Sequence, residues 1–236
     1  MAIYAIGDLH LSFNTNKPMN IFGEKWNNYE EKIKKDWLKK VKEKDLVLLP
    51  GDFSWSMKLE DTYKDFEYIN NLPGNKILLK GNHDYWWNTV KKMNEYIKNN
   101  NFKNIEFLYN NSYLYDNYII CGTRGWNISN DKEDIRLYER ELFRLELSIK
   151  DGIEKFGKDK EIIICMHYPP ITSYNITEYD INFKMLNLLK KYNVKKCIYG
   201  HLHGTSHKEA IEGDIQCIEF KLVSSDYLNF ELYEIN

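Results

Sequence analysis

Five short apolar runs, Ala2 to Ile6, Leu46 to Leu49, Ile77 to Leu79, Ile162 to Met166 and Cys197 to Tyr199, each stop at a residue type that can bind metal. Each run is too short for a helix and is bounded by turn residues, which is the pattern of strands buried on both faces. Between these runs the apolar positions recur every three or four residues. Trp26, Tyr29, Ile33, Trp37 and Val41 predict a helical face after the first run, and the charged stretch from Lys32 to Lys44 supplies its solvated side. Further helices are predicted over Leu59 to Asn71 and Thr89 to Asn99, and the longest from the steps Ile135, Tyr138, Leu142, Leu145 and Ile149. Phe107, Tyr113 to Tyr115 and Tyr118 to Cys121 read as short strands around Asn-rich turns. Gln216 to Phe220 and Leu228 to Leu232 read as later strands. Alternating strands and helices predict a layered α/β fold. Antiparallel-looking segments accompany the parallel ones, so two packed mixed β-sheets flanked by helices are expected, as one domain over residues 1–236.

The stops carry the chemistry. They read Gly7-Asp8-Leu9-His10, Gly51-Asp52, Gly81-Asn82-His83-Asp84, Met166-His167 and Gly200-His201-Leu202-His203. Ligands of open α/β sheets sit beyond the carboxyl ends of the strands, so these stops are expected to converge on one edge. Asp8 and His10, like His201 and His203, are one residue apart and share a face in extended chain. Asp52 offers two oxygens, enough to bridge two cations, and Asn82 and His167 add an amide oxygen and an imidazole. A Gly-Asp pair or a lone histidine is by itself usually a turn or surface feature. Here five of the six histidines fall inside the stops, and that clustering points to a metal centre, most simply one of two metals. Imidazole mixed with carboxylate suits Mn, Fe, Zn, Ni or Co, with Mn or Fe favoured, over Mg or Ca. Two carboxylates neutralise only part of two divalent charges, so the centre keeps a positive field suited to phosphate. A glycine before a ligand relieves crowding at the strand-to-loop turn.

Composition narrows the partners. A net charge of -2 and a pI near 6.3 give no basic field for nucleic acid or an anionic membrane. Cys121, Cys165, Cys197 and Cys217 form no Cys-x-x-Cys pair and are expected as buried free thiols of a reducing compartment. No run approaches the ~20 apolar residues of a membrane span, and Met1 to Ile6 has no basic start, so a cytoplasmic protein is expected.

The ordered set Asp-x-His, Gly-Asp, Gly-Asn-His-Asp, lone His and Gly-His-x-His, spanning Gly7 to His203, resembles the calcineurin-like metallophosphoesterases, in particular the bacterial predicted phosphohydrolases. The resemblance implies that Asp8, His10 and His203 hold one metal, that Asn82, His167 and His201 hold the other, and that Asp52 bridges them. It further implies that a hydroxide between the metals attacks phosphorus in line while His83 protonates the leaving oxygen or steadies the phosphoryl group. The chain departs from the family's Ser/Thr protein phosphatases, which carry a second Asp where Trp55 stands here. Protein phosphatase activity is therefore not expected. Asp84 is then the nearest candidate to orient His83, with capping of the following helix as its alternative role.

The expected activity is hydrolysis of a P–O ester in a small phosphorylated molecule or nucleotide. The rivals are a non-catalytic scaffold of the same fold, which has no reason to hold all of these residues, and a nuclease, which the acidic balance opposes. Trp55, Trp86, Trp87 and Trp126 read first as core packing and second as an aromatic wall for a flat leaving group. Arg136, Arg140 and Arg144 form an i, i+4 stripe with Glu133, Glu139 and Glu141 nearby, so helix ion pairs are the default there. Arg124, in Gly122-Thr123-Arg124-Gly125, is the candidate clamp for a substrate phosphate. His207 reads as a loop residue, and residues 12–23 as a lid or a packed loop.

Overall fold

Alternation along each run decides which side chains meet. The computed structural model describes residues 1–129 and 131–236. Its first strand, β1 (Ile3–Ala5), sends Ile3 and Ala5 to one face and Tyr4 to the other. The same period-two division holds in β2 (Leu46–Pro50) and β3 (Asn75–Leu79), which lie parallel to β1 and to β4 (Ile105–Leu108). The edge of this sheet beyond β1 is a late, antiparallel strand.

The second sheet has β6 (Tyr118–Thr123), β7 (Glu161–Met166), β8 (Lys196–Tyr199) and β10 (Ile218–Leu222) in parallel. Its edges are the antiparallel β5 (Tyr113–Tyr115) and β9 (Gly213–Ile215). Inner-face residues of the two sheets, among them Ile3, Leu48, Ile77, Ile120, Ile163 and Ile198, form one buried layer between them. Against the outer face of the first sheet pack Ile33 and Trp37 of α1 (Tyr29–Lys40), Phe66 and Ile69 of α2 (Tyr63–Asn70), and Met93 of α3 (Val90–Asn99). Tyr138, Leu145 and Ile149 of α4 (Lys132–Phe156) and Met185 and Leu189 of α5 (Asn182–Lys191) cover the second. The result is the expected α/β/β/α sandwich.

Two expectations need correction, and one helix went unpredicted. Leu228 to Leu232 is not a strand: Asn229 and Phe230 take left-handed φ values of 55° and 65°, which interrupt extended chain, and Phe230 and Leu232 turn into the core. The strand follows instead as β11 (Tyr233–Glu234), paired with β1. Cys217 is exposed in the tight turn between β9 and β10, while Cys121, Cys165 and Cys197 are buried and free as expected. Helix α5 was not anticipated. Its Met185, Leu186 and Leu189 give only one and a half turns of apolar face, and Ile181 at its start makes no capping bond to announce it. No helix among the described residues is long and apolar enough to cross a membrane.

Candidate metal centre

The parallel strands deliver their carboxyl ends to one edge, where backbone bonds lace the loops together. Asp8 N–H donates to the Gly51 carbonyl at 2.9 Å, His10 N–H to that of Asp52 at 2.9 Å, and Gly200 N–H to that of His167 at 3.1 Å. At two of the glycines the need is close approach. A Cβ on Gly81 would lie 2.1 Å from Asp52 Oδ1, and one on Gly200 would lie 2.3 Å from Asp8 Oδ2. At this edge four ligand candidates carry backbone strain themselves: Asp8, His10, Asp52 and His201 hold φ values of 57°, 47°, 51° and 76°. Such conformations are sparsely populated by residues with a Cβ and cluster at functional sites.

Two groups of ligand atoms result. Asp8, His10 and His203 bring one atom each within 4.8 Å of one another, and so do Asp8, Asp52 and His167. His203 Nε2 lies 3.3 Å from both Asp8 Oδ1 and His10 Nε2. On the other side Asn82 Oδ1 lies 2.6 Å from His167 Nε2 and 2.9 Å from His201 Nδ1. Asp52 turns one oxygen to each set, Oδ2 at 3.7 Å from His10 Nε2 and Oδ1 at 3.6 Å from His167 Nε2. All seven residues that the motifs nominate as ligands are therefore gathered, with Asp8 in contact with both sets.

The donor set fits cations. Asp8 and Asp52 are buried side by side, and among the described residues no lysine or arginine lies within 4 Å of either. Two neutral imidazole lone pairs 3.3 Å apart, as at His10 and His203, repel unless a proton or an ion lies between them. Two nitrogens bound to one ion at about 2.0–2.1 Å stand roughly 3–3.4 Å apart, so the spacing matches. Burial and repulsion from Asp8 push the Asp52 carboxyl well above the usual carboxylate range. Burial opposes ionisation of Asp8 too, but the imidazoles of His203, His167 and His10 outweigh it and hold that carboxyl low. Burial also pulls His10 and His167 below the ordinary histidine range and His201 to about 4, which keeps them neutral, as ligands must be. His203 is the exception. Burial pulls it down, yet the carboxylates of Asp8 and Asp226 prevail and raise it to about 10.

Outer support comes partly from residues the motifs did not nominate. Asp226 accepts from His203 Nδ1 at 2.8 Å and from Gly204 N–H at 3.0 Å, which leaves Nε2 of His203 to face the ligand cluster. Pro50 carbonyl does the same for His167 through Nδ1, at 3.0 Å. Asp84 neither orients His83 nor caps the next helix, whose cap is Thr89. Its carboxylate instead accepts the backbone N–H of Asp52, Phe53, Ser54 and Gly81 and the Trp86 indole N–H, which pins the second loop to the third.

His83 reaches a cleft of about 490 Å³ beside the first ligand set, walled by Met19, Phe22, Trp26 and Trp55, with Lys25 and His207 at its side. Its backbone N–H donates to Asp52 Oδ1 at 2.8 Å, its ring lies 4.7 Å from that of Trp55, and its buried Nδ1 has no partner among the described residues. Trp55 also stacks on His10 at 4.7 Å, so it is both core and wall, whereas Trp86 is core alone. In residues 12–23, Met19 is buried under the Trp55 indole while Ile21 and Phe22 stay exposed. His207 is not among the ligand groups; it is half-buried, 3.2 Å from Asp226. Arg124 does not line the His83 cleft. Its side chain opens into a neighbouring one with Lys80, Arg140 and Arg144, and only its carbonyl, accepting from His167 N–H at 3.2 Å, touches a ligand residue.

A sequence model of the calcineurin-like phosphoesterases matches residues 1–205. The chain belongs to the calcineurin-like phosphoesterase family. Solved structures of similar fold include a protein of unknown function from Aquifex aeolicus, 20% identical with a TM-score of 0.52, the match covering 99% of this chain and 95% of that one. A phosphopantetheinyl hydrolase from Mycobacterium tuberculosis is 11% identical with a TM-score of 0.58, covering 99% and 95%. A Thermus thermophilus protein is 12% identical with a TM-score of 0.60, covering 99% and 97%. No curated protein matches the sequence. The calcineurin-like family fits the Asp and His groups gathered here, which could hold metal.

Proposed function

We propose that this family member is a dinuclear metal-dependent phosphoesterase that hydrolyses a P–O ester bond of a small phosphorylated molecule or nucleotide. Asp8, His10 and His203 would hold one ion, Asn82, His167 and His201 the other, and Asp52 both. Bound there, the ions supply the Lewis acidity that makes water nucleophilic near neutral pH and offsets charge on the phosphoryl group. The protein residues do the rest. Asp226 and the Pro50 carbonyl fix the ring orientations of His203 and His167. His83, which lines the cleft, gives a proton to the leaving oxygen or hydrogen-bonds the phosphoryl group, and Trp55 packs its ring in place. The aromatic walls suit a flat or apolar leaving group. The observation that carries this reading is the sharing of Asp52 between the two ligand sets, with the backbone N–H of His83 donating to the same carboxylate and so fixing His83 beside them.

The test is hydrolysis of p-nitrophenyl phosphate and bis-p-nitrophenyl phosphate by metal-stripped protein refilled with Mn, beside Asp52→Asn and His83→Ala. Turnover should return with Mn, fail in Asp52→Asn through loss of metal, and fall by ~10²- to 10⁴-fold in His83→Ala with metal content unchanged. Stoichiometric metal binding with no turnover of either ester under several metals would favour the scaffold. Full activity in His83→Ala would sink the acid role.

A further inference from the structure

The cleft beside the second ligand set holds a concentration of positive charge that the proposed reaction leaves without a task. Lys80, Arg124, Arg140 and Arg144 line it, together with Thr123, Trp87 and Tyr109, in a volume of about 750 Å³. Among the described residues the only carboxylate lining it is Glu141, which is buried and already engaged: it accepts from Thr123 Oγ1 at 2.6 Å, Arg144 Nη1 at 2.7 Å and Arg140 Nη2 at 3.3 Å. No described carboxylate lies within 4 Å of the Lys80 ammonium or the Arg124 guanidinium. Both are half-buried, and the Arg124 guanidinium rests on the Trp126 ring at 4.5 Å. Like charges held together under partial burial without counter-ions are costly to the free protein, and an anion relieves the cost. The arginine distribution points the same way. The chain has 33 lysines and arginines but only four arginines, and three of those four line this cleft, where a planar fork for phosphate is available.

The cleft's lining residues also neighbour the proposed ligands along the chain and across the sheet. Lys80 precedes Gly81-Asn82 directly, and the register of β6 on β7 pairs Thr123 with Met166, which sets Arg124 beside His167 at about one strand spacing, ~4.8 Å. We infer that this cleft is an anion subsite for a second phosphate of the substrate, so that the natural substrate carries two phosphate groups, one at the metal ligands and one held by Arg124, Arg140, Arg144 and Lys80. The inference rests on the proposed phosphoesterase reading, which supplies the first phosphate's place. Glu141 then acts as a positioning residue, presenting the Arg140 and Arg144 forks toward the cleft while Thr123 holds its other oxygen.

The experiment compares α,ω-alkanediol bisphosphates of three to eight carbons with the matching monophosphates, using Mn-loaded protein and reading released phosphate. For at least one chain length, kcat/KM should favour the bisphosphate by ~10-fold or more, as a charge-assisted bidentate contact provides. Arg124→Gln and Arg144→Gln should each drive that ratio toward one. Arg124→Lys should retain part of it, and added salt should weaken it. Arg124→Gln breaks no carboxylate pair, so it remains informative where Arg144→Gln unsettles the buried Glu141. A ratio near one at every length in the wild type, or a high ratio untouched by both variants, overturns the inference. If no phosphate ester is turned over, the phosphoesterase reading has failed separately. Calorimetric binding of the bisphosphates to the same protein then decides the subsite: binding lost in Arg124→Gln supports it, and binding unchanged in that variant overturns it.

Discussion

Replacing Asp84 by asparagine tests how the second and third ligand loops are held in place. The change keeps the shape of the side chain but turns one acceptor oxygen into an NH2 donor. Oδ2 now receives Asp52 N–H at 2.9 Å and Gly81 N–H at 2.7 Å, while Oδ1 receives Phe53 N–H at 2.9 Å, Ser54 N–H at 3.2 Å and the Trp86 indole at 2.9 Å. Whichever way the amide lies, at least two buried donors lose their acceptor. Each costs ~1–3 kcal/mol, and loss of the buried charge offsets part of the total, which leaves about 2–4 kcal/mol of destabilisation. Urea unfolding of metal-stripped protein should show this as a lower midpoint at unchanged slope. Mn affinity should fall as well, because Asp52 and Asn82 sit on the loops that Asp84 joins. A helix-capping role would instead cost ~1 kcal/mol and leave metal binding alone. A loss below ~1 kcal/mol with unchanged Mn affinity would refute the loop-pinning argument.

Asp226→Asn should weaken one of the two proposed Mn sites by ~10- to 100-fold, the range typical of removing the carboxylate behind a metal-binding histidine, and leave the other near its original affinity. Calorimetric titration resolves the two, and equal weakening at both would contradict the pairing of Asp226 with His203 alone among the proposed ligands. Loading metal at pH 7.5 should release protons from His203, which Asp8 and Asp226 hold protonated up to about 10 in the metal-free protein, and from Asp52, whose carboxyl burial and Asp8 push up to about 8. Titrations in buffers of differing ionisation enthalpy count those protons, and none released would be a refutation. The sign for stability follows: a raised histidine pKa stabilises the metal-free fold fully below about 6.5 and loses that contribution as pH rises through about 10. Denaturant midpoints of His203→Gln should lack this decline.

The candidate ligands were legible because each follows an apolar run in a residue type rarely placed there for packing, but the residues that support them depend on sheet register, which local pattern does not contain. Strand β10 lies beside β8 with Leu222 opposite Tyr199. The two strands leave the sheet in step, and Asp226 and His203 are each four residues further on, hence face to face. Nothing in Ser224-Ser225-Asp226 announces this, since the pairing skips the intervening β9 hairpin. The same reasoning explains a glycine whose place was read correctly for an incomplete reason. Pro50 pairs with Leu79 across β2 and β3, so Gly81 stands opposite Asp52, and any Cβ there would occupy the carboxylate's space. Turn geometry alone could have been met by other residues at Gly81; carboxylate clearance could not. Arg124 follows the rule too, falling beside His167 through the Thr123 to Met166 pairing, with its side chain turned into the cationic cleft and away from His83. Arg140 and Arg144 join it from α4, a helix whose ion pairs with Glu141 were foreseeable while the strand it covers was not. Local pattern thus identifies the atoms that can hold an ion, and strand register determines which of their neighbours steer them.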